Sequence, residues 1–98
     1  MAPQNKIKVE NINHPGTARQ VDRAMYDAMR QAYLKVLPGE LPGLTLAQIS
    51  ERLAGELPQE LFPGGAKAGW WAKTVQLDLE AKGLVRREKV NPIRLYRV

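Results

Sequence analysis

The stretch AGWWAKTVQLDLEAKGLVRRE, residues 68–88, narrows the choice of fold more than any other part of the chain. On a helical wheel centred on Leu79, residues Trp71, Ala72, Val75, Leu79 and the stem of Lys82 share one side, which predicts a helix with a core-facing stripe. The opposite side carries Trp70, Lys73, Thr74, Leu77 and Ala81, with Gln76 on the boundary. Gly83 predicts the stop, because glycine enters the left-handed C-terminal conformation without a Cβ penalty. Leu84 to Lys89 follow at once as a basic strand. The fold therefore has to accommodate a helix that turns directly into a strand.

Taken in order, the chain opens with an extended piece at Ile7 to Ile12, where apolar and polar residues tend to alternate, and a turn at His14-Pro15-Gly16. Thr17 with Gln20 matches a capping box and Asp22 is a second candidate cap, so a first helix is expected to begin between them. Its stripe is Val21, Met25, Ala28, Met29, Ala32 and Val36, and Pro38-Gly39 stops it. Pro42-Gly43 turns the chain into a second helix, started by a Thr45–Gln48 capping box with Leu44 and Ile49 at staple positions. Leu46, Ile49 and Leu53 are its buried face, and Gly55 marks its end. Residues 56–68 connect it to the third helix, with a single helical turn expected at Pro58 to Phe62. The third helix is expected from Gly69 to Lys82, followed by strands at Leu84 to Lys89 and Ile93 to Val98 around an Asn91-Pro92 turn.

With 98 residues, one domain is the default, burying roughly two-thirds of its unfolded surface. An apolar fraction of 44% and a charged fraction of 26% belong to an ordinary globular chain rather than a disordered one. The absence of cysteine removes disulfides, thiol catalysis and thiolate metal sites together, and fits a reducing cytoplasm. No apolar run suits a signal peptide or a membrane span, so secretion and membrane insertion are not expected. The net charge of +5 is unevenly placed. Residues 83–98 hold Arg86, Arg87, Lys89, Arg94 and Arg97 against Glu88 alone, a net +4, whereas residues 38–66 are acidic. Such segregation points the C-terminal segment toward an anionic partner, nucleic acid first among them; the plainer alternative is a solvated edge hairpin that discourages aggregation.

Catalysis finds little to build on. His14 is the only histidine and Ser50 the only serine, and Ser50 lies inside the second helix. Asp78 and Glu80, two apart on a helix, point about 200° away from each other, the wrong geometry for carboxylates acting on one bond. With one histidine and no cysteine, no metal site is expected, and no cofactor or small-molecule ligand. The run Gly64-Gly65-Ala66-Lys67-Ala68-Gly69 has the glycines of a phosphate loop, but Trp70-Trp71 stands where its lysine and hydroxyl residue belong. It reads as a flexible connection into the third helix, whose first amides, with Lys67 beside them, suit a DNA phosphate.

Three helices followed by a two-stranded hairpin is the order of a winged helix-turn-helix domain. The threonine-capped second helix Thr45-Leu46-Ala47-Gln48-Ile49, the close Leu79-Glu80-Ala81-Lys82-Gly83-Leu84-Val85, and the basic ending Arg94-Leu95-Tyr96-Arg97 together resemble many bacterial regulators. The likeness covers residues 17–98, leaving 1–16 as an N-terminal extended segment. NINHPG at 11–16, LFPGGAKAGWW at 61–71 and KTVQLDLEAKG at 73–83 resemble, more closely, a family of short bacterial proteins of uncharacterised function. One departure is the connection of about thirteen residues between the second and third helices, against the three or four of a tight helix-turn-helix. The winged-helix resemblance implies an α+β, non-enzymatic module that binds double-stranded DNA. Lys73, Thr74 and Gln76 would then reach base edges or phosphates, while Arg86, Arg87, Lys89, Arg94 and Arg97 flank the groove. Strand alternation allows only about half of those flanking charges to face one partner. Trp70, Leu77 and Ala81 fit this less well: an apolar outer stripe is expected to be covered, by residues 7–12, by the loop at 57–62, by a second copy of the chain in a homodimer, or by another protein.

Overall fold

The structure is a computed structural model that describes residues 5–98; the first four residues of the expected N-terminal segment lie outside the described residues. The described chain begins with an antiparallel hairpin of β1 (Lys6–Glu10) and β2 (Ala18–Asp22). Ile7 lies opposite Val21 and Val9 opposite Arg19, so these four share one face, on which Val9 and Val21 are buried. Residues 18–22 are thus strand, although Thr17 and Gln20 have capping-box spacing. The Thr17 hydroxyl donates instead to the His14 carbonyl at 2.7 Å, closing the hairpin turn. Asp22 is the cap: its carboxylate accepts from the Met25 amide at 2.9 Å and opens α1 (Arg23–Val36).

Beyond α1 the chain forms the two-residue strand β3 (Leu44–Thr45), α2 (Leu46–Ala54), a 3₁₀ turn at Pro63–Gly65, α3 (Ala68–Ala81), β4 (Val85–Glu88) and β5 (Arg94–Arg97). The capping box at α2 is complete: the Gln48 amide donates to Thr45 Oγ1 at 3.2 Å and the Thr45 amide to Gln48 Oε1 at 3.0 Å. The helical turn expected at residues 58–62 is a hydrogen-bonded turn, with Leu61 and Phe62 amides on the Pro58 carbonyl, and the 3₁₀ turn follows it. At the end of α3, Gly83 has φ +76. The Leu84 amide there donates to the Leu79 carbonyl at 2.9 Å and the Gly83 amide to the Glu80 carbonyl at 3.1 Å. This crossed pair of bonds is the Schellman stop that the glycine predicted.

The architecture is α+β, with three helices and two small antiparallel sheets among the described residues. Strands are interleaved with the helices instead of being confined to the C-terminus: one hairpin precedes α1, and β3 joins the C-terminal hairpin to make a three-stranded sheet ordered β3-β5-β4. Gly43 permits that third strand. A Cβ there would stand 2.4 Å from the Leu95 carbonyl oxygen, so only glycine lets the backbones approach closely enough for Leu44 to pair with Leu95.

Met29 and Tyr33 of α1, Ile49 and Leu53 of α2, Phe62, Val75 and Leu79 of α3, and Val85 and Leu95 of the sheet make one core. α3 is its centre. Residues 75–80 are all buried, including Gln76, Asp78 and Glu80, because α3 has the core on one side and the N-terminal hairpin on another. The Asp78 carboxylate is fully buried and accepts from the Tyr26 hydroxyl, the Lys82 ammonium at 2.7 and 2.8 Å, and the Glu10 backbone amide at 2.8 Å. It joins α1, α3 and β1 at one point. Replacing Asp78 with alanine should therefore destabilise the fold by about 2–4 kcal/mol, read from urea unfolding, since it strands the buried Tyr26 phenol and frees the Glu10 amide that pins β1.

Candidate nucleic-acid interface

The residues expected to meet DNA divide into those without an ion pair or side-chain hydrogen bond among the described residues and those whose side chains are bonded within the fold. Lys67, Lys73, Arg86 and Lys89 are exposed and belong to none of the ion pairs of the described residues. Lys67 stands at the start of α3 in the left-handed region, φ 62, and no side chain caps that helix start. Thr74 is half-buried. Arg86 shares the outer face of the sheet with Tyr96, its cross-strand neighbour.

The remaining expected contacts are engaged internally. Gln76, placed on the helix boundary by its spacing, is buried: its amide nitrogen donates to Glu80 Oε2 at 3.0 Å and its amide oxygen accepts from the Tyr33 hydroxyl at 3.4 Å. Arg87 faces inward beside Leu95 and forks onto Glu80, with Nε on one carboxylate oxygen and Nη2 on the other at 3.2 Å. Arg94 donates to the Gly43 carbonyl at 3.0 Å and Arg97 to the Leu37 carbonyl at 2.9 Å, so both brace the loop between α1 and β3. A buried carboxylate demands a partner, and here Glu80 takes the buried Gln76 amide and the still exposed Arg87 guanidinium.

Part of the apolar stripe is covered within the chain. Leu77 is buried and lines a cleft with Val9 of the N-terminal hairpin, while Ala81 is half-buried. Trp70 alone stays exposed, at 47%, its ring edge-on to Trp71 at 5.0 Å and capped by the Arg19 guanidinium 5.4 Å from its centroid.

Clefts flank the N-terminal turns of α3, and two of them share its Lys73. One, of about 400 Å³, lies between that helix and the N-terminal hairpin. The other, of about 370 Å³, lies between α3, α2 and the C-terminal hairpin, and brings Lys73 and Arg87 to a common wall. Gly69, Lys73 and Leu77, one helical turn apart, line both. Arg19, Glu10 and His14 of the first cleft lay outside the expected site because residues 17–22 imitate a helix start. Two five-residue segments, KIKVE and ARQVD, flanking a turn at His14-Pro15-Gly16 were the available signal for a hairpin. Among the described residues no three His, Asp or Glu side chains come together as metal ligands would. No helix among them is long and apolar enough to cross a membrane.

The profile of a family of unknown function, DUF6958, matches residues 6–95, nearly the whole chain. The chain belongs to that family. This agrees with the resemblance to short uncharacterised proteins and carries no activity with it. Curated proteins and solved structures returned no match. The DUF6958 match begins at β1, so it takes in the N-terminal hairpin as well as the three helices.

Two phenols record how closed the interior of this DUF6958 chain is. Burial, and then the hydrogen bond to and charge of Asp78, push the Tyr26 phenol well above its ordinary value of 10.0. Burial and the Glu80 charge do the same for Tyr33. A raised native value means the folded state holds its proton more tightly, so this contribution is complete below pH 10 and is lost as the pH climbs above it. In an alkaline titration, two of the three tyrosines should ionise only as the far-ultraviolet ellipticity collapses, and stability to urea should fall steadily above about pH 10.

Proposed function

We propose that this chain is a cytoplasmic, non-enzymatic winged-helix module that binds double-stranded DNA and serves transcription regulation. In that reading α1, β3, α2, α3, β4 and β5 are the winged-helix core, β4 and β5 are the wing, and the β1–β2 hairpin is an addition to it. The sheet order β3-β5-β4, with β3 leading into α2, supports it. The observation that carries the reading is the exposure of cations outside any ion pair among the described residues: Lys67 and Lys73 at the first turns of α3, and Arg86 and Lys89 on the wing. Duplex DNA presents a dense row of phosphates, and four such cations supply the screened, sequence-independent part of its affinity.

The wrapping of α3 changes which groups do what. With Gln76 and Arg87 held by Glu80, base contact falls to Lys73 and the half-buried Thr74, both on the first turns of the helix. Arg94 and Arg97 hold the wing to the α1–β3 loop and so act on its position. So short a base-reading segment favours affinity dominated by the backbone.

Binding to a duplex of arbitrary sequence should weaken with salt at a log–log slope of about −0.9 for each phosphate neutralised, or about −3.6 for four. Lys73→Gln and the double variant Arg86→Gln/Lys89→Gln should each weaken binding and flatten that slope, by about 0.9 and about 1.8. Fluorescence anisotropy over a salt series measures both. Absence of binding at low ionic strength, or a slope that the variants leave unaltered, excludes the reading.

A further inference from the structure

The cleft between the N-terminal hairpin and α3 is built from both partners. The Glu10 amide on Asp78 pins the hairpin to the far half of α3, and toward the near end the two diverge around Gly69, where a Cβ would meet nothing within 4 Å. Val9 and Leu77, both buried, make an apolar floor. The exposed Trp70 indole forms one wall, and Arg19 reaches over it because it sits opposite Val9 on the inward face of the hairpin. Lys73, about one turn along the same helix from Trp70, lines the space as well. Arg19 and Lys73 outnumber Glu10, the one carboxylate lining the space, and neither belongs to an ion pair among the described residues.

We propose that this cleft binds a small aromatic carboxylate. Its volume of about 400 Å³ lies in the range of small-molecule sites, enough for about one or two rings and too little for a duplex. A flat ring meets the indole and the apolar floor, while a guanidinium already held over that indole offers paired N–H donors to the carboxylate, with the Lys73 ammonium as the second cation. A bare anion leaves the floor and the indole uncovered, and an uncharged ring leaves two cations unanswered. The site shares Lys73 and Thr74 with the DNA reading, whereas Arg19 has no part in that reading.

The test is a titration of the full chain with benzoate, without nucleic acid, followed by amide and indole N–H nuclear magnetic resonance. Saturable shifts are expected at the Trp70 indole, Gly69 and Thr74, with a dissociation constant on the order of 1 mM for so small a probe. Arg19→Gln and Lys73→Gln should each weaken it about tenfold, the loss of one charge-assisted hydrogen bond. Lys35→Gln removes the same charge from a distant ion pair and should leave it unchanged. Benzamide, with the ring but no charge, and acetate, with the charge but no ring, should each bind at least about tenfold more weakly. Shifts that do not saturate, that spread over the basic surface, that benzamide or acetate reproduces, or that survive Arg19→Gln overturn the proposal.

Discussion

Two carboxylates inside α3 hold the molecule together in different directions. Asp78 and Glu80 sit two residues apart, so the helix turns them toward opposite neighbours. Asp78 takes the backbone of β1 and the phenol of Tyr26; Glu80 takes Arg87 of β4 and, through Gln76, lies one step from Tyr33. An ionised group inside a protein is tolerated only when its lone pairs are filled, and every buried side-chain nitrogen and oxygen among the described residues has a partner. Each sheet is therefore fastened to the central helix by a charge, over and above the apolar contacts that bring it there.

The surface available for binding follows from that fastening. With its second half enclosed, α3 presents only its first turns, and these carry Trp70, Lys73 and Thr74. Leu77, which spacing alone places outward, and Gln76, which it places on the boundary, are both drawn in. The N-terminal hairpin supplies the cover for part of the apolar stripe and, in supplying it, forms a second concavity along the same helix. Lys73 borders both spaces, so any occupant of either meets the same ammonium group.

Much of this was legible in the residues. The three helices lie within a few residues of where periodicity and caps put them, because Thr45–Gln48, Gly83 and the Pro-Gly pairs act locally and owe nothing to distant partners. The basic hairpin likewise follows from β-rich residues around Asn91-Pro92. What stayed hidden depends on contacts far apart in sequence. Residues 18–22 contain good helix formers after a threonine, and only pairing with Lys6–Glu10, which buries Val9 and Val21, turns them into a strand. β3 is two residues long and exists because Gly43 allows it against Leu95, a close approach that no local pattern announces. In the same way, nothing at Arg87 itself says that it will face Glu80 rather than solvent, since alternation along the strand allows only one of Arg86 and Arg87 to turn outward and leaves the choice to the core.

The Schellman stop has a further effect on the order in which the parts come under constraint. By reversing the chain within two residues it sets Arg87 against Glu80 only seven positions apart, so the last sheet is tethered by a short loop. The first hairpin has no such advantage: its anchoring amide, Glu10, is 68 positions from Asp78. Closing the longer loop costs more chain entropy, although the cost grows only with the logarithm of length. The C-terminal sheet therefore inherits its alignment from its neighbour in sequence, whereas the N-terminal hairpin must be recruited across nearly the whole polypeptide.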